Sequence, residues 1–510
     1  MPGEPLIRLY NYDHPPVRPL VPGDTAEHCG GRIVGLLFTG LVGYRSEDAA
    51  AYHAMASSIV TADSTVFTIT LKPGWTFHDG TPVLARHFVQ AWNHTAYGPN
   101  EQANAAAFEK ILGYAEVHPE VHPDGRPPST DRLAGLRVLD DHRFEVTLAE
   151  PFSIFPTLLG SPAFLPLPDV FFADRARYLR RPVGNGRYRL VRAEAGAGHL
   201  LTAFEDYRGV DRPGPGSLLL LHYPDRDSAY QALLAGELDY LDALPQDAVA
   251  DRRGVRELAG RVVGRPGLML QALAFPSYLP GYDDPDLRKA VSLAIDRPEI
   301  IARALGGGQR PADGWSVEGV GGRLPGQAGR YCTFDPVAAR EHLDRSGFDG
   351  TLEFHSPASA RGWLGALSEG VGRVLGLDCS LVLYDRVRDY YDAVENRTVT
   401  GIFRADWAAD YPALENFLRP LFHSDGPFND TGYARPEFDA LLAAADAAPD
   451  EAVATARYRA AERLLAQDMP HVPLWQEWAT AGYSARLGNV RMTSQGDLDL
   501  HAVTVRSDCP

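Results

Sequence analysis

Residues 66–72, VFTITLK, show the clearest alternation of apolar and polar side chains along the chain. Phe67, Ile69 and Leu71 would share one face of an extended segment, with threonine or lysine on the other face. This period of two predicts a half-buried strand. Proline and glycine then turn the chain, and residues 83–92 have the composition of a helix. A strand, a turn-rich loop and a helix within one short segment predict an α/β fold.

Further strands are predicted where the same alternation, or a short apolar run, stands between turn residues. These segments are 6–10, 143–148, 187–191, 218–223, 238–241, 352–355, 380–383 and the tail 472–492. The run LLLLHY at 218–223 does not alternate, which favours a strand covered on both faces. A helix and the strand at 238–241 follow it, an order typical of parallel α/β pairing.

Helices are predicted from runs with helical spacing of apolar residues. They span 32–44, 227–235, 286–305, 336–346, 436–447 and 452–468. The segment 286–305 is followed by three glycines at 306–308, which is typical of a helix end. Helices and strands therefore alternate along most of the chain, as expected for an α/β protein.

The chain is too long for a single core, since 510 residues with 45% hydrophobic content predict two or three domains. Its 49 basic and 66 acidic side chains give a formal net charge of −17. This charge disfavours nucleic acid or an anionic membrane surface as a partner. No apolar run approaches the roughly 20 residues of a membrane span, and the first residues, MPGEPLIRLY, lack an export signal. We expect an extracytoplasmic protein if a signal was removed, and a cytoplasmic one if Met1 is the native start.

Motifs of common catalytic and metal sites are missing from the sequence, which has no GxSxG, HExxH, GxxxxGK(S/T) or CxxC. His118 and His122 are close enough in sequence to suggest a metal pair. However, Pro119 and Pro123 make this segment a loop, which excludes two imidazoles on one helical face. We therefore predict no catalytic residues, no metal and no cofactor.

Four cysteines, Cys29, Cys332, Cys379 and Cys509, are too few for a disulfide scaffold in a chain of this length. Two alternatives remain open for them. A single bridge would most plausibly join Cys332 to Cys379, and otherwise the cysteines are free buried thiols.

Seven segments in sequence order resemble one family of proteins. They are LFTGLVGY at 37–44, FHDGTPVLARHFVQAW at 77–92, PVGNGRYRL at 182–190, GELDYLDALP at 236–245, LRKAVSLAIDRPEII at 287–301, DWAADYPALENFL at 406–418 and MPHVPLW at 469–475. Together they resemble family 5 of the extracytoplasmic solute-binding proteins of bacterial ABC importers, which take up oligopeptides, dipeptides or nickel. The proline and glycine content and the YSARLGNV segment are similar to those of actinobacterial members.

This resemblance implies a class II, two-lobe periplasmic-binding-protein fold of the large peptide-binding type, with an extra inserted subdomain. Residues 1–45, 181–270 and 481–510 would form lobe I, residues 46–180 the inserted subdomain and residues 271–480 lobe II. Such a clamp closes on a ligand by hinge motion.

The function implied by the resemblance is that of a receptor. A monomer would capture a peptide or peptide-like small molecule between its lobes and deliver it to an ABC permease in the membrane. The alternative is a cytoplasmic relative without a signal. It would act on a specialised metabolite as a binding or sequestering protein, or as a recruited enzyme.

The segment 406–418 holds most of the expected ligand contacts. In oligopeptide binders the aspartate at the position of Asp410 pairs with the α-ammonium of the ligand; otherwise Asp410 would be a helix cap or the partner of a nearby arginine. Trp407 and Tyr411 would form amphipathic walls or be ordinary core aromatics. Arg404 and Asn416 are expected as polar wall groups, although Asn416 could instead fix the following helix.

The loop at 25–31 lies where the family lines its cleft with backbone that pairs with an extended peptide. His28 and Cys29 replace residues that are usually less reactive there, and they could mark an altered ligand or a nucleophile. Adjacent residues of an extended chain point to opposite faces, so His28 is poorly placed to activate Cys29. Phe108 follows three alanines near the position of a tyrosine that covers the peptide in relatives. This change suggests a different or wider pocket.

Overall fold

The computed structural model describes residues 6–119, 127–194 and 198–506. One large sheet and three smaller ones contain the strands. The strands are β1 (Leu6–Tyr10), β2 (Val42–Tyr44), β3 (Ala51–His53), β4 (Ala56–Thr61), β5 (Val66–Leu71), β6 (Leu136–Asp140), β7 (Arg143–Thr147), β8 (Tyr188–Glu194), β9 (Gly198–Ala203), β10 (Ser217–Leu221), β11 (Tyr240–Leu241), β12 (Val262–Ala274), β13 (Arg310–Pro311), β14 (Leu352–Pro357), β15 (Cys379–Tyr384), β16 (Ile402–Ala408), β17 (His471–Tyr483), β18 (Leu487–Gly488) and β19 (Thr504–Val505).

Helices connect these strands and cover the faces of the large sheet. The α-helices are α1 (His28–Leu37), α2 (Ala85–Ala96), α3 (Tyr114–Val117), α4 (Phe155–Leu158), α5 (Asp169–Ala173), α6 (Arg175–Arg180), α7 (Arg226–Leu234), α8 (Gln246–Ala250), α9 (Arg253–Glu257), α10 (Pro285–Leu293), α11 (Arg297–Ala304), α12 (Pro336–Ser346), α13 (Arg361–Leu375), α14 (Val387–Glu395), α15 (Leu414–Phe422), α16 (Pro436–Asp446) and α17 (Glu451–Asp468). Short 3-10 helices occur at Gly98–Asn100, Ala105–Phe108, Pro162–Phe164, Gly329–Cys332 and Ala358–Ala360.

The large sheet has the strand order β15-β14-β16-β12-β17-β11-β1-β10-β9-β8, and β13 pairs with β17. One half contains strands from the first part of the chain, and the other half contains β14, β15 and β16. Strands β10 and β11 both pair in parallel with β1, and β14 pairs in parallel with β15. The parallel arrangement predicted for the strands at 218–223 and 238–241 is therefore confirmed, although β1 lies between them and they do not pair with each other.

Two long antiparallel strands, β12 and β17, join the two halves of the sheet. They pair from Val262↔Gly482 at one end to Ala274↔His471 at the other, with a register shift between Pro266 and Leu270. Within that shift, the side-chain amide of Gln476 donates to the carbonyl of Gly267 at 2.8 Å. Since the ladder is interrupted there, the backbone of β12 can bend at this point more easily than elsewhere along the pair.

The segment that showed the clearest pattern forms a separate antiparallel sheet, β4-β5-β7-β6, packed against α2. Phe67 and Ile69 of β5 are fully buried, as the alternation predicted. On α2, Phe88 stacks on Phe144 with 5.9 Å between ring centroids, and Trp92 meets the same ring edge-on at 5.5 Å. These rings form the core of the unit.

This smaller unit also contacts the far part of the chain. The hydroxyl of Ser64 donates to the carbonyl of Ala448 at 2.8 Å. The backbone amide of Ser153 donates to the carbonyl of Asp446 at 2.9 Å. The pair of β12 and β17 is thus not the only connection between the first part of the chain and its last third.

Two predicted helices were wrong in extent. The helix predicted at 32–44 is α1, which ends at Leu37, and 42–44 form a strand. The side chain of Asn185 binds both the amide and the carbonyl of Thr39 (3.1 and 2.9 Å), and Gly186 donates to the carbonyl of Leu37 at 2.7 Å. A Cβ on Gly186 would lie 2.5 Å from the carbonyl carbon of Leu37, so this close approach needs glycine.

The helix predicted at 286–305 is divided into α10 and α11. The side chain of Asp296 caps α11 by accepting from the amide of Glu299 at 3.1 Å, and Pro298 occupies its first turn. The cap at Asp296 and the proline begin a new helix, so the preceding helix α10 has to end before them. The spacing of apolar residues continues across this break and therefore did not reveal it.

The strand predicted at 218–223 is shorter and less covered than expected. In β10, Leu218 and Leu220 are fully buried, but Leu219 and Leu221 are only partly buried. The face of β10 that carries Leu219 and Leu221 is therefore only partly covered by the rest of the protein.

Cys332 and Cys379 are free thiols, so the alternative without a bridge is the one that the structure supports. Their sulfurs lie near the carbonyls of Pro473 and Leu377, at 4.0 and 3.9 Å. Cys509 and His122 lie outside the described residues.

A buried carboxylate fastens three distant segments of the fold. Asp239 is fully buried and accepts from Arg8 Nε at 3.0 Å, from the Ser484 hydroxyl at 2.9 Å and from Arg486 at 2.9 Å. These bonds join β1 and the C-terminal segment to the start of β11. The bonds from Arg8 and Ser484 lower the pKa of the Asp239 carboxyl although burial acts to raise it.

We expect Asp239→Ala to lower the free energy of unfolding by about 3 kcal/mol at pH 7, because two arginines lose their partner. Urea denaturation of the wild type and the variant would measure this difference in the free energy of unfolding. The folded-state pKa of Asp239 is depressed, so its contribution is full above the unfolded pKa of about 4 and is lost as the pH falls further. The difference between wild type and variant should therefore shrink in acid. Asp206→Ala, at an exposed site, is the control, and equal losses in both variants would contradict the assignment.

Candidate functional site

The loop that contains Asp410 leaves the large sheet beside the crossing strands. It runs from the end of β16 at Ala408 to the start of α15 at Leu414. The amide of Ala409 donates to the carbonyl of Leu268 at 2.9 Å, and Leu268 lies within the interrupted part of β12. The loop is therefore attached to the point where the two halves of the sheet meet.

Asn416 holds this loop in shape from inside. Its side chain is buried, with 2% exposure. The side-chain oxygen accepts from the amide of Asp410 at 3.0 Å and from Nε1 of Trp407 at 3.2 Å, and Nδ2 donates to the Asp410 carboxylate at 3.3 Å. Asn416 was expected as a polar wall group or as a residue that fixes the following helix, but its side-chain bonds fix the preceding loop instead.

Asp410 is a solvent-exposed carboxylate without a cation. It forms no ion pair with any residue in the described part of the chain, and the N-cap of α15 is Ala413. Both structural roles considered for it, a helix cap and an arginine partner, are therefore excluded within the described residues. Reduced hydration raises the pKa of the Asp410 carboxyl, and the bond from Asn416 opposes this only in part. A cation arriving from solvent would relieve this cost.

Tyr411 faces the opposite way from Asp410, into a buried polar cluster. Its hydroxyl donates to the carboxylate of Glu415 at 2.5 Å. Glu415 also lies 3.4 Å from Arg419, which in turn pairs with Asp446. Burial raises the pKa of both acids. The Tyr411 hydroxyl is thus engaged in anchoring the loop to α15.

Trp407 is half-buried, and its ring packs on Phe428 with 5.1 Å between centroids. The ring therefore retains one accessible side near Asp410, as a wall residue requires.

Polar groups on three neighbouring strands lie one level below this loop. Arg404 pairs with Asp406 on β16 at 3.4 Å and donates from Nε to the side chain of Gln271 on β12 at 3.1 Å. On β17, Glu477 accepts from Nε1 of Trp475 at 3.3 Å. Burial raises the pKa of Glu477, and the bond from Trp475 and the charge of the nearby Arg404 oppose this rise only in part. Arg404 thus lies among polar groups of the sheet next to the loop, and its contact with a ligand stays a prediction.

Gln271, Asp406 and Glu477 were not predicted from the sequence. Each lies on a different strand, and only the register Gln271↔Asp406 and Gln271↔Trp475 brings them together. The polar QE pair inside the apolar run VPLWQEW was the one available signal.

The predicted conformation at His28 and Cys29 was wrong. Both residues form the first turn of α1 and are not extended. His28 is exposed and stacks on Tyr12 with 5.7 Å between centroids. The backbone there is therefore committed to a helix and cannot pair as a strand along its length.

The burial and the raised thiol pKa of Cys29 disfavour a nucleophilic role, although an imidazole lies beside its sulfur. Cys29 is 1% exposed, and burial together with the charge of Glu27 raises the pKa of its thiol. Its sulfur lies 3.7 Å from Nδ1 of His14, which is the nearest imidazole, so the pairing considered with His28 does not occur. A raised pKa keeps the thiol protonated and unreactive at neutral pH.

Phe108 is a core residue and not a ligand contact in this conformation. It has 0% exposure and lies between Trp92 and Phe164, at 6.0 and 4.9 Å between centroids. The alanines before it form a 3-10 helix that turns its ring inward.

Within the described ranges, no group of three or more His, Cys, Asp or Glu side chains could hold a metal ion. Among the same residues, no helix is long and apolar enough to cross a membrane.

Comparison with known proteins agrees with this architecture. The model of the family described as bacterial extracellular solute-binding proteins, family 5 Middle, matches residues 51–429. The chain is 24% identical over 460 residues to the periplasmic murein peptide-binding protein MppA of Escherichia coli, covering 87% of this chain and 83% of that protein. It is 24% identical over 481 residues to the glutathione-binding protein GsiB of Shigella dysenteriae, covering 92% and 88%.

The fold is similar to the solved unliganded open form of the murein tripeptide-binding protein MppA. The TM-score is 0.86 at 22% identity, covering 99% of this chain and 98% of that one. The expected class II α/β fold of the large peptide-binding type is therefore confirmed.

We expect iodoacetamide to alkylate Cys29 at least about tenfold more slowly in the folded protein at pH 7.5 than in urea, because burial restricts access and disfavours the thiolate. Mass spectrometry of the labelled peptides would give the rates. In urea without reductant, Cys332 and Cys379 should also be labelled, since neither is bridged. Labelling of Cys29 at equal rates in both conditions would show that the site is open and reactive.

Proposed function

The chain belongs to family 5 of the bacterial extracellular solute-binding proteins, and we propose that it captures a peptide or peptide-like small molecule that carries a free amine. The ligand would be delivered to an ABC permease in the membrane. Two relatives support the ligand class, since MppA binds a murein peptide and GsiB binds glutathione.

The exposed, cation-free carboxylate of Asp410 carries this proposal. Asn416 fixes it from below, and Trp407 stands beside it. An ammonium group is the natural partner for a carboxylate whose pKa is raised by reduced hydration, because a charge-assisted hydrogen bond restores the lost solvation. The aromatic ring would contact the apolar part of the same ligand.

Arg404 would serve the other end of the ligand. It lies on the same strand as Trp407 and shares its charge with Asp406 at 3.4 Å. A ligand carboxylate would compete with Asp406 for this guanidinium, so a zwitterionic ligand would engage both Asp410 and Arg404, whereas a simple amine would engage Asp410 alone.

The proposed lobes are residues 1–45, 181–270 and 481–510 for lobe I and residues 271–480 for lobe II, with 46–180 inserted. The strand order of the large sheet supports this division, since β1 and β8–β11 lie on one side of the β12–β17 pair and β14–β16 on the other. The interrupted register near Gly267 is the proposed hinge.

Closure about this hinge would bring lobe I onto the Asp410 loop and exclude water from the ligand. The similarity to an open form supports an open resting state. We propose that a monomer acts outside the cytoplasm, where the permease would recognise its closed form.

Ligand capture through an amine can be tested with a thermodynamic cycle. A peptide retained in native mass spectrometry from a defined tripeptide library would be compared with its N-acetylated form by calorimetry. We expect N-acetylation and Asp410→Asn each to weaken binding about 10- to 100-fold, the value of about 1.5–3 kcal/mol for a charged hydrogen bond. When the acetylated peptide is measured with the Asp410→Asn variant, the loss of affinity should be little larger than either change causes alone, because both changes remove the same interaction.

Asp349→Asn is the matched control, because it removes the same charge from an exposed turn. Additive losses in the cycle, or equal losses with the control, would show that Asp410 does not bind the amine.

Hinge closure predicts a local pattern of hydrogen exchange. On addition of the retained peptide, exchange should slow in the loop 407–413, which becomes covered, and stay unchanged in the paired ends of β12 and β17, which remain hydrogen-bonded. Hydrogen exchange with mass spectrometry would measure both. Equal exchange in the loop with and without peptide would contradict closure over Asp410.

A further inference from the structure

A cavity of about 380 Å³ lies away from the Asp410 loop, between the turn at His78, the segment 170–183 and β8. Its apolar lining includes Val170, Val183 and Leu190. Strand β8 is at the edge of the large sheet, so this cavity belongs to the margin of the molecule.

Four arginines line this cavity, namely Arg177, Arg180, Arg181 and Arg189. All four are exposed, and none forms an ion pair or a side-chain hydrogen bond with a residue that the structure describes. Arg187, two residues before Arg189, pairs with Asp211 at 3.1 Å and does not line the cavity. In a chain of net charge −17, four arginines without acidic partners around one cavity are unusual.

The lining of the cavity holds one carboxylate against these four guanidinium groups. Asp79 is the one acidic residue of the lining, and its carboxylate accepts from the amide and hydroxyl of Thr81 at 3.0 and 2.6 Å. His78 is uncharged at neutral pH, because burial and the nearby Arg189 lower its pKa to about 4. Its Nε2 donates to the carbonyl of Gly186 at 3.0 Å, and its Nδ1 accepts from the amide of Gly184 at 3.1 Å. The cavity therefore keeps an excess of positive charge.

The backbone that carries the arginines is fixed. Asp174 caps α6 by accepting from the amide of Arg177 at 2.9 Å. Tyr178 is fully buried, and its hydroxyl donates to the carbonyl of Leu20 at 3.2 Å. Arg189 is held in register opposite Thr202 of β9. The backbone positions from which the arginine side chains extend are thus set before any ligand arrives.

We propose that this cavity is a second binding site, which takes a phosphate-bearing anion of at least two negative charges. A guanidinium group can donate two parallel hydrogen bonds to the oxygens of a phosphate. A ligand carboxylate would occupy only one such group, so four of them favour an anion with more oxygens and more charge. The apolar lining beside them accommodates the group that carries the phosphate. This site is independent of amine capture at Asp410.

Calorimetry with inorganic pyrophosphate at low salt tests the site directly. We expect pyrophosphate to bind with a sub-millimolar dissociation constant that rises with added salt. In the double variant Arg181→Gln/Arg189→Gln the affinity should fall at least tenfold. The control pair Arg208→Gln/Arg463→Gln removes two exposed arginines from elsewhere and should bind as wild type does. Asp410→Ala should also bind normally, so failure at the amine site and failure here are distinguishable.

Vesicles distinguish a lipid phosphate from a free one. Cosedimentation with vesicles that contain cardiolipin, whose head group carries two phosphates, but not with phosphatidylcholine vesicles, would identify a lipid head group as the source if it is lost in Arg181→Gln/Arg189→Gln. Pyrophosphate binding without vesicle binding would identify a soluble phosphate. Absence of both, or equal losses in the control pair, would overturn the proposal.

Discussion

The antiparallel pairing of β12 with β17 is the constraint on which the rest of the structure depends. These two strands lie side by side in the middle of the large sheet, between its two halves, so they set the position of each half relative to the other. Their pairing is regular from Val262 to Pro266 and from Ala272 to Ala274, and its register shifts twice in between, at Pro266/Leu270 and at Gln271/Ala272. A pair that is rigid at its ends and broken in the middle favours rotation about one place, which is what a clamp requires.

The candidate site is built around that interruption. The Asp410 loop is tied to Leu268 through its backbone and to Asn416 through its side chains, so any bend of β12 moves the loop as a unit. Asn416 uses its two polar atoms for three bonds, and this leaves the outer face of Asp410 open. The same buried amide therefore explains both the rigidity of the loop and the free carboxylate.

Charge is distributed unevenly over this acidic protein. Arginines in the interior are neutralised by carboxylates, as Arg8 and Arg486 are at Asp239, or they bind carbonyls, as Arg297 does at Pro473. Asp410 and the four arginines of the marginal cavity are exposed, and none of them forms an ion pair with a residue in the described part of the chain. A ligand of opposite charge would therefore meet groups whose charge the protein has not already matched.

Local patterns predicted much of the fold. The alternation at 66–72 was sufficient to predict β5, because burial of one face imposes a period that the sequence itself displays. The strand–helix–strand order at 218–241 predicted a parallel arrangement, but not that β1 lies between β10 and β11. Helix ends were less predictable. The end of α1 depends on Asn185, about 150 residues away in sequence, and the end of α10 on a cap at Asp296 that begins another helix.

The sequence by itself determined the order of elements, the family resemblance and the choice of Asp410, because these reside in neighbouring residues and in a motif. Only the tertiary structure decided that Asp410 lacks a cation, that Phe108 is core and that Cys29 lies at a helix start with His14 beside it. It also placed Gln271, Asp406 and Glu477 at one level of the sheet. The physical reason is that burial, pKa and ion pairing depend on which distant segments approach each side chain, and local periodicity does not encode that approach.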